Sequence, residues 1–151
     1  ERENSMSTKF NKYLTKDDYN IYIRNKKISI DDNSKKIESL LGKGEVAIVE
    51  DDGGFYYIYE KDGFTAIFIG KNNVDMLIAN DPKYSTHRGL KVGDSYSKMI
   101  KLYGKGDMFM IENNQIIYRY EPADTDIYFD FYIVIDRDTN QVVEYYAAST
   151  L

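Results

Sequence analysis

The stretch Gly89-Leu90-Lys91-Val92-Gly93-Asp94-Ser95-Tyr96-Ser97-Lys98-Met99-Ile100-Lys101-Leu102-Tyr103-Gly104-Lys105-Gly106 decides the fold. It reads as a turn, a capped short helix and a glycine stop. Asp94 or Ser95 offers the side-chain oxygen of an N-cap, Met99, Leu102 and Tyr103 share one face, and Gly104 ends the helix in a left-handed conformation. A gapless second copy lies 62 residues earlier, over 28–44, with Asp32, Lys36, Leu40, Gly42, Lys43 and Gly44 repeating as Asp94, Lys98, Leu102, Gly104, Lys105 and Gly106. In that copy Asp32, Asn33 or Ser34 offers the cap, and Ile37, Leu40 and Leu41 form the apolar face. Helices shorter than ~12 residues are marginal in water, so each copy needs a surface to pack on.

That surface is a sheet. Downstream of the first helix, segments 46–50, 55–60, 64–69 and 74–79 read as strands joined by short polar turns such as Asp51-Asp52-Gly53-Gly54. After the second helix, 108–112, 115–121, 127–136 and 141–148 do the same. A leading hairpin at 19–30 alternates Ile21 and Ile23 with polar neighbours, turns at Asn25-Lys26, and alternates again at Ile28 and Ile30. The expected architecture is α+β: two tandem helix-plus-four-strand repeats in one continuous antiparallel sheet, with the helices packed on one face. Residues 1–18 read as a flexible polar leader, 19–80 as the first repeat with its hairpin, 81–88 as a connector and 89–151 as the second repeat.

Successive strand side chains point to opposite faces, which assigns two sets. Ile127, Phe129, Phe131, Ile133 and Ile135 face the helices, with Val143, Tyr145, Ala147, Phe55, Tyr57, Tyr59, Ile116, Tyr118 and Tyr120. The far face then carries Tyr56, Arg119, Tyr128, Asp130, Tyr132, Val142, Glu144 and Tyr146. For 64–69 both facings remain open.

With 151 residues the chain is long enough to bury a core without staples, and it has no Cys to form any. A net charge of -5 with only 20 Lys and Arg argues against nucleic acid, whose phosphates demand a basic face. Fifteen Tyr and seven Phe with two Pro and no Trp fit a β-rich chain. No apolar run approaches the ~20 residues of a membrane helix.

Motifs with chemical promise reduce to punctuation. His87, the single histidine, sits in a polar connector with no G-x-S-x-G elbow to serve. Asp136-Arg137-Asp138-Thr139-Asn140 opens like a calcium loop, but Gln141 stands where the loop needs Gly and Ala147 where it needs Glu. Gly42-Lys43-Gly44 and Gly104-Lys105-Gly106 follow helices, so no helix N-terminus faces a phosphate. No metal or cofactor is expected.

The run from Thr86 to Ser95, with Tyr103-Gly104 closing the helix, resembles the tandem repeats of β-lactamase-inhibitor-protein-like domains found in secreted lipoproteins of low-GC Gram-positive bacteria. It is more distantly similar to outer-membrane assembly lipoproteins of the SmpA/OmlA type. The first copy departs from the pattern, with Asp31-Asp32-Asn33 in place of Gly-Asp-Ser. The resemblance implies an open sheet face that grips a protein target, export, and membrane association through an N-terminal lipid anchor that this chain does not include. The functional expectation is a non-catalytic, extracytoplasmic binding module whose partner is a protein at the cell surface. Its contact residues are Tyr56, Arg119, Tyr128, Asp130, Tyr132, Glu144 and Tyr146. Alternatives are an enzyme on envelope glycan using carboxylates such as Asp130 and Glu144, or a structural envelope-assembly protein.

Overall fold

The computed structural model describes residues 13–151. A 3-10 turn at Lys16–Tyr19 leads into β1 (Ile21–Ile23), β2 (Lys26–Ile28) and α1 (Ser34–Leu41). β3 (Glu45–Asp51), β4 (Gly54–Lys61), β5 (Phe64–Ile69) and β6 (Asn73–Ala79) follow. After β7 (Ser85–Thr86) come α2 (Tyr96–Tyr103), β8 (Asp107–Glu112), β9 (Gln115–Tyr120), β10 (Phe129–Asp136) and β11 (Gln141–Ser149). The eight long strands form one antiparallel sheet in the order β3-β4-β5-β6-β11-β10-β9-β8, and a small sheet β2-β1-β7 stands apart. Each half of the chain thus supplies one helix and four consecutive strands, and the halves meet at β6 and β11.

One row of opposed residues can be followed across six of the eight strands. Tyr59, Ala66, Leu77, Ala147, Phe131 and Tyr120 lie directly opposite one another in turn, and all are buried. The core therefore occupies a single face, filled from above by Ile37 of α1 and by Met99 and Tyr103 of α2. Phe64, Ala66 and Phe68 point into it, which resolves the facing of β5.

The two helix ends are built alike. Asn33 and Ser95 are the N-caps, accepting the backbone N–H of Lys36 and Lys98. Asp32 and Asp94 accept the N–H of Ser29 and Lys91 just upstream, tightening the turn into each helix. At the far end the Tyr59 hydroxyl donates to the Gly42 carbonyl at 2.6 Å and Tyr120 donates to Gly104 at 2.8 Å. The second glycine of each Gly-Lys-Gly sits against that same tyrosine: a Cβ on Gly44 would come within 2.7 Å of the Tyr59 ring, and one on Gly106 within 2.6 Å of Tyr120.

Four expectations need correction. Val142 is buried in the core and is not on the far face, because β11 carries an extra residue there: Val134 pairs with Glu144 while Ile135 pairs with Val142. A bulge at Val143 resets the alternation, which period-two reasoning cannot see. The tenth strand begins at Phe129, leaving Ile127 and Tyr128 outside it. The hairpin turns at Arg24-Asn25, with Arg24 at φ 56 and Ile23 paired with Lys26. The leader reading fails over its last residues, since Leu14 and Asp18 are buried; residues 1–12 lie outside the described residues.

Burial at Asp18 is offset by Arg88, from the expected connector. Its Nε and Nη2 donate to the two Asp18 oxygens at 2.9 and 3.0 Å, and its Nη1 donates to the Leu102 carbonyl at 2.9 Å. The connector is therefore an anchored element, with β7 pairing to β1.

Candidate functional site

The face away from the helices has its own continuous rows. Glu45, Glu60, Thr65, Ile78, Tyr146, Tyr132, Arg119 and Asp107 stand opposite one another in turn across all eight strands. Tyr132 lies at the centre of the second half's portion, flanked by Tyr146 on β11 and Arg119 on β9. The Tyr132 and Tyr146 rings stack at 4.8 Å between centroids and 17° between planes. Phe109 meets the Tyr132 ring edge-on at 5.2 Å, and the Arg119 guanidinium lies over Phe109 at 5.3 Å. Aromatic and cation–π contacts of this kind hold side chains in fixed rotamers on an open surface.

Arg119 is only loosely neutralised. Its Nη2 stands 3.9 Å from Asp107 and 3.7 Å from Glu121, and its Nε is shielded from solvent without a hydrogen-bond partner. Beneath the aromatic row, Val134 and Ile117 are 3% and 8% exposed although no helix covers this side. Neighbouring side chains exclude water from them, so the cluster has an apolar floor.

Ionisable groups here share one bias. Burial pushes the Asp130 carboxyl up, Arg119 opposing and Glu121 adding to the shift. Burial also raises Glu144, with a hydrogen bond from Asn80 working against it. Tyr146 is pushed up to about 12 by burial, then by Tyr132 and Glu144. Tyr132 is raised chiefly by burial. The phenols remain neutral hydrogen-bonding groups at physiological pH.

Five of the seven residues expected on this surface come together: Arg119, Asp130, Tyr132, Glu144 and Tyr146. Tyr56 does not join them. It sits on β4, four strand spacings or ~19 Å from β10, opposite Val49. Tyr128 lies ahead of β10 and lines a separate cavity of ≈ 410 Å³ with Lys16, Ile30 and Leu151. Phe109 is the residue sequence reasoning missed. It is the extra residue of a bulge, since Met108 pairs with Tyr118 and Met110 with Ile117. The unalternating run Met108-Phe109-Met110-Ile111 was its only signal.

Asp130 and Glu144 are poorly placed as a glycosidase pair. Asp130 stands opposite Ala148 and Glu144 opposite Val134, so four residues of β10 separate their positions, ~14 Å of strand. Glycoside hydrolysis uses carboxyls roughly 5–9.5 Å apart. Among the described residues no group of three or more His, Asp or Glu is placed to hold a metal ion.

No protein-family model matches the chain, and no curated protein matches it. Among solved structures it is similar to an extracellular protein containing an SCP domain from Bacillus anthracis, at 13% identity and a TM-score of 0.52, covering 80% of this chain and 44% of that one. A cysteine-rich secretory protein from Staphylococcus aureus is similar over 80% of this chain and 44% of that one, at 11% identity and a TM-score of 0.47. The chain thus spans less than half the length of these proteins, and the first likeness supports the α+β arrangement with its large antiparallel sheet.

Proposed function

We propose that the chain is a non-catalytic binding module that recognises a protein partner with the aromatic surface around Tyr132, on an extracytoplasmic protein. The observation that carries this reading is the Tyr146–Tyr132–Phe109 row with Arg119 beside it. Tyr and Arg anchors on an apolar floor are the usual composition of interface hot spots. The buried, unpartnered Nε of Arg119 adds a donor that a partner's acceptor would satisfy.

The matched contacts at Gly42 and Gly104, and at Asp32 and Asp94, support a duplicated unit of the β-lactamase-inhibitor-protein-like kind, with Asp130 and Glu144 as polar rim. The extracellular description of the structurally similar Bacillus protein supports export, and a lipid anchor upstream would complete the tether. The test is cross-linking capture on the native cell surface with wild type and a Tyr132→Ala/Tyr146→Ala variant. The variant keeps its fold by circular dichroism and loses the captured partner; an unchanged capture profile ends the proposal.

A further inference from the structure

The sheet has two open edges, and they are finished differently. β8 is interrupted by the bulge at Phe109. β3 pairs with β4 at all seven of its positions without a register shift, and among the described residues nothing pairs with its other side. Natural sheets blunt the middle of such an edge with a charged side chain, above all Lys, or with Pro, a bulge or extreme shortness. β3, Glu45-Val46-Ala47-Ile48-Val49-Glu50-Asp51, has none of these. Its apolar centre is open to water, with Val46, Ile48 and Val49 between 47% and 57% exposed.

Charge tells what fits there. The strand carries three carboxylates and no cation, at its two ends. Glu45 stands directly opposite Glu60, and among the described residues neither has an ion-pair partner. Like charges opposed across a ladder are unfavourable, so a cation added beside them relieves a repulsion already present. Both carboxylates border a surface concavity of ≈ 880 Å³ that also takes in Lys43, Lys61, Asp62, Thr65 and Asn80. Lys61 Nζ donates to the Lys43 carbonyl, and neither lysine forms an ion pair with Glu45 or Glu60, which leaves both carboxylates to a long basic side chain from outside. A second copy fits badly. Two β3 strands paired antiparallel about Ile48 would set Glu45 against Asp51 twice.

We propose that β3 is a strand-addition edge that takes an extended segment of a partner protein, apolar at its centre and basic at both ends. Main-chain hydrogen bonds to the free side of β3 would hold it, and Glu45, Glu60 and Asp51 would select its flanks. The proposal concerns residues other than the tyrosine cluster, so either can fail without the other.

The test uses the whole chain and two synthetic peptides of about nine residues, long enough to span the strand. Both have an alternating Val/Thr centre; one has Arg at each end and the other Glu. The Arg-ended peptide slows amide exchange along β3 and binds at least roughly tenfold tighter at low salt, the gap closing near ~1 M salt. Glu45→Lys/Glu60→Lys reverses the preference. Ile48→Lys, at an exposed site where the fold survives, abolishes binding. Equal affinity for the two peptides, or no change at β3 amides at ~1 mM peptide, overturns the proposal. So does a free chain in which the β3 amides pointing away from β4 are already protected, whether by a second copy in sedimentation or by its own first twelve residues.

Discussion

Lys26 and Arg88 occupy the same place in the two halves. Each donates to the carbonyl of the leucine near the end of the following helix, Lys26 to Leu40 at 2.8 Å and Arg88 to Leu102 at 2.9 Å. Ile28 and Leu90, two residues further on, are both fully buried. A cation at a helix C-terminus is favourable in either half, because it meets unsatisfied carbonyls and the negative end of the dipole. The surroundings differ. Lys26 is exposed, whereas Arg88 is buried, clasps both oxygens of Asp18 and lies 4.9 Å from the Tyr103 ring centroid. The same helix-end contact serves in the second half as the anchor for the segment that precedes the hairpin.

That contrast predicts the largest effect. Arg88→Met leaves the Asp18 carboxylate buried and unpaired, and should cost ~3–5 kcal/mol in urea unfolding. Lys26→Met removes a solvated charge and should cost under ~1 kcal/mol. Near-equal losses would mean that the two halves use this position alike.

The glycines test the opposite point, where the halves agree. Gly44→Ala and Gly106→Ala each force a methyl group into a tyrosine ring, and at Gly44 also to 2.4 Å from the Glu60 carbonyl oxygen. Overpacking of this kind costs ~1–3 kcal/mol. Both variants should lose stability, Gly44→Ala the more for its added backbone collision; if only one does, the structural equivalence of the two Gly-Lys-Gly elements is wrong.

Tyrosine hydroxyls give the next effect down. Tyr59→Phe and Tyr120→Phe each delete a bond to a helix-capping carbonyl and should cost ~1 kcal/mol apiece. Tyr145→Phe should cost nothing or stabilise, because its hydroxyl is buried without a partner. A loss at Tyr145 comparable to that at Tyr59 would point to a buried water bonded to the hydroxyl.

The paired helices and their glycine stops were legible in the sequence because spacing, capping residues and left-handed positions are local. Arg119, Tyr132 and Tyr146 were legible because period-two alternation holds through the middle of β9, β10 and β11. It fails where a bulge adds a residue: alternation puts Val142 on the far face and carries no signal for Phe109. Nor could alternation place Tyr56, since it assigns a face but not a distance across the sheet. The Arg88–Asp18 clasp joins residues 70 apart in sequence, and neither residue carries a local signal of burial.

The smallest effect concerns one carboxylate in each half, Asp75 on β6 and Glu144 on β11. Each lies at or beside a bulge: Asp75 is the residue skipped when Ile67 pairs with Met76 and Phe68 with Val74, and Glu144 follows Val143. Burial raises each above its ordinary value. A carboxyl with a raised folded pKa binds more protons in the native state than in the unfolded chain, so its ionisation destabilises the fold. The contribution is absent well below the unfolded value, ~3.9 for Asp75 and ~4.3 for Glu144, grows as pH rises through the raised folded value, and is complete above it. Stability should therefore fall as pH rises across that window. Glu144→Gln should remove part of the slope and raise stability at pH 7 while leaving stability near ~pH 3 unchanged, read by denaturant midpoints across pH. Asp75→Asn should act the same way and independently, since the two sit on strands whose recorded pairings join Met76 to Ala148 and Ala79 to Tyr145 without bringing Asp75 opposite Glu144. A double variant whose slope changes by more than the sum of the single changes would show that the two halves titrate as one unit across the β6–β11 seam.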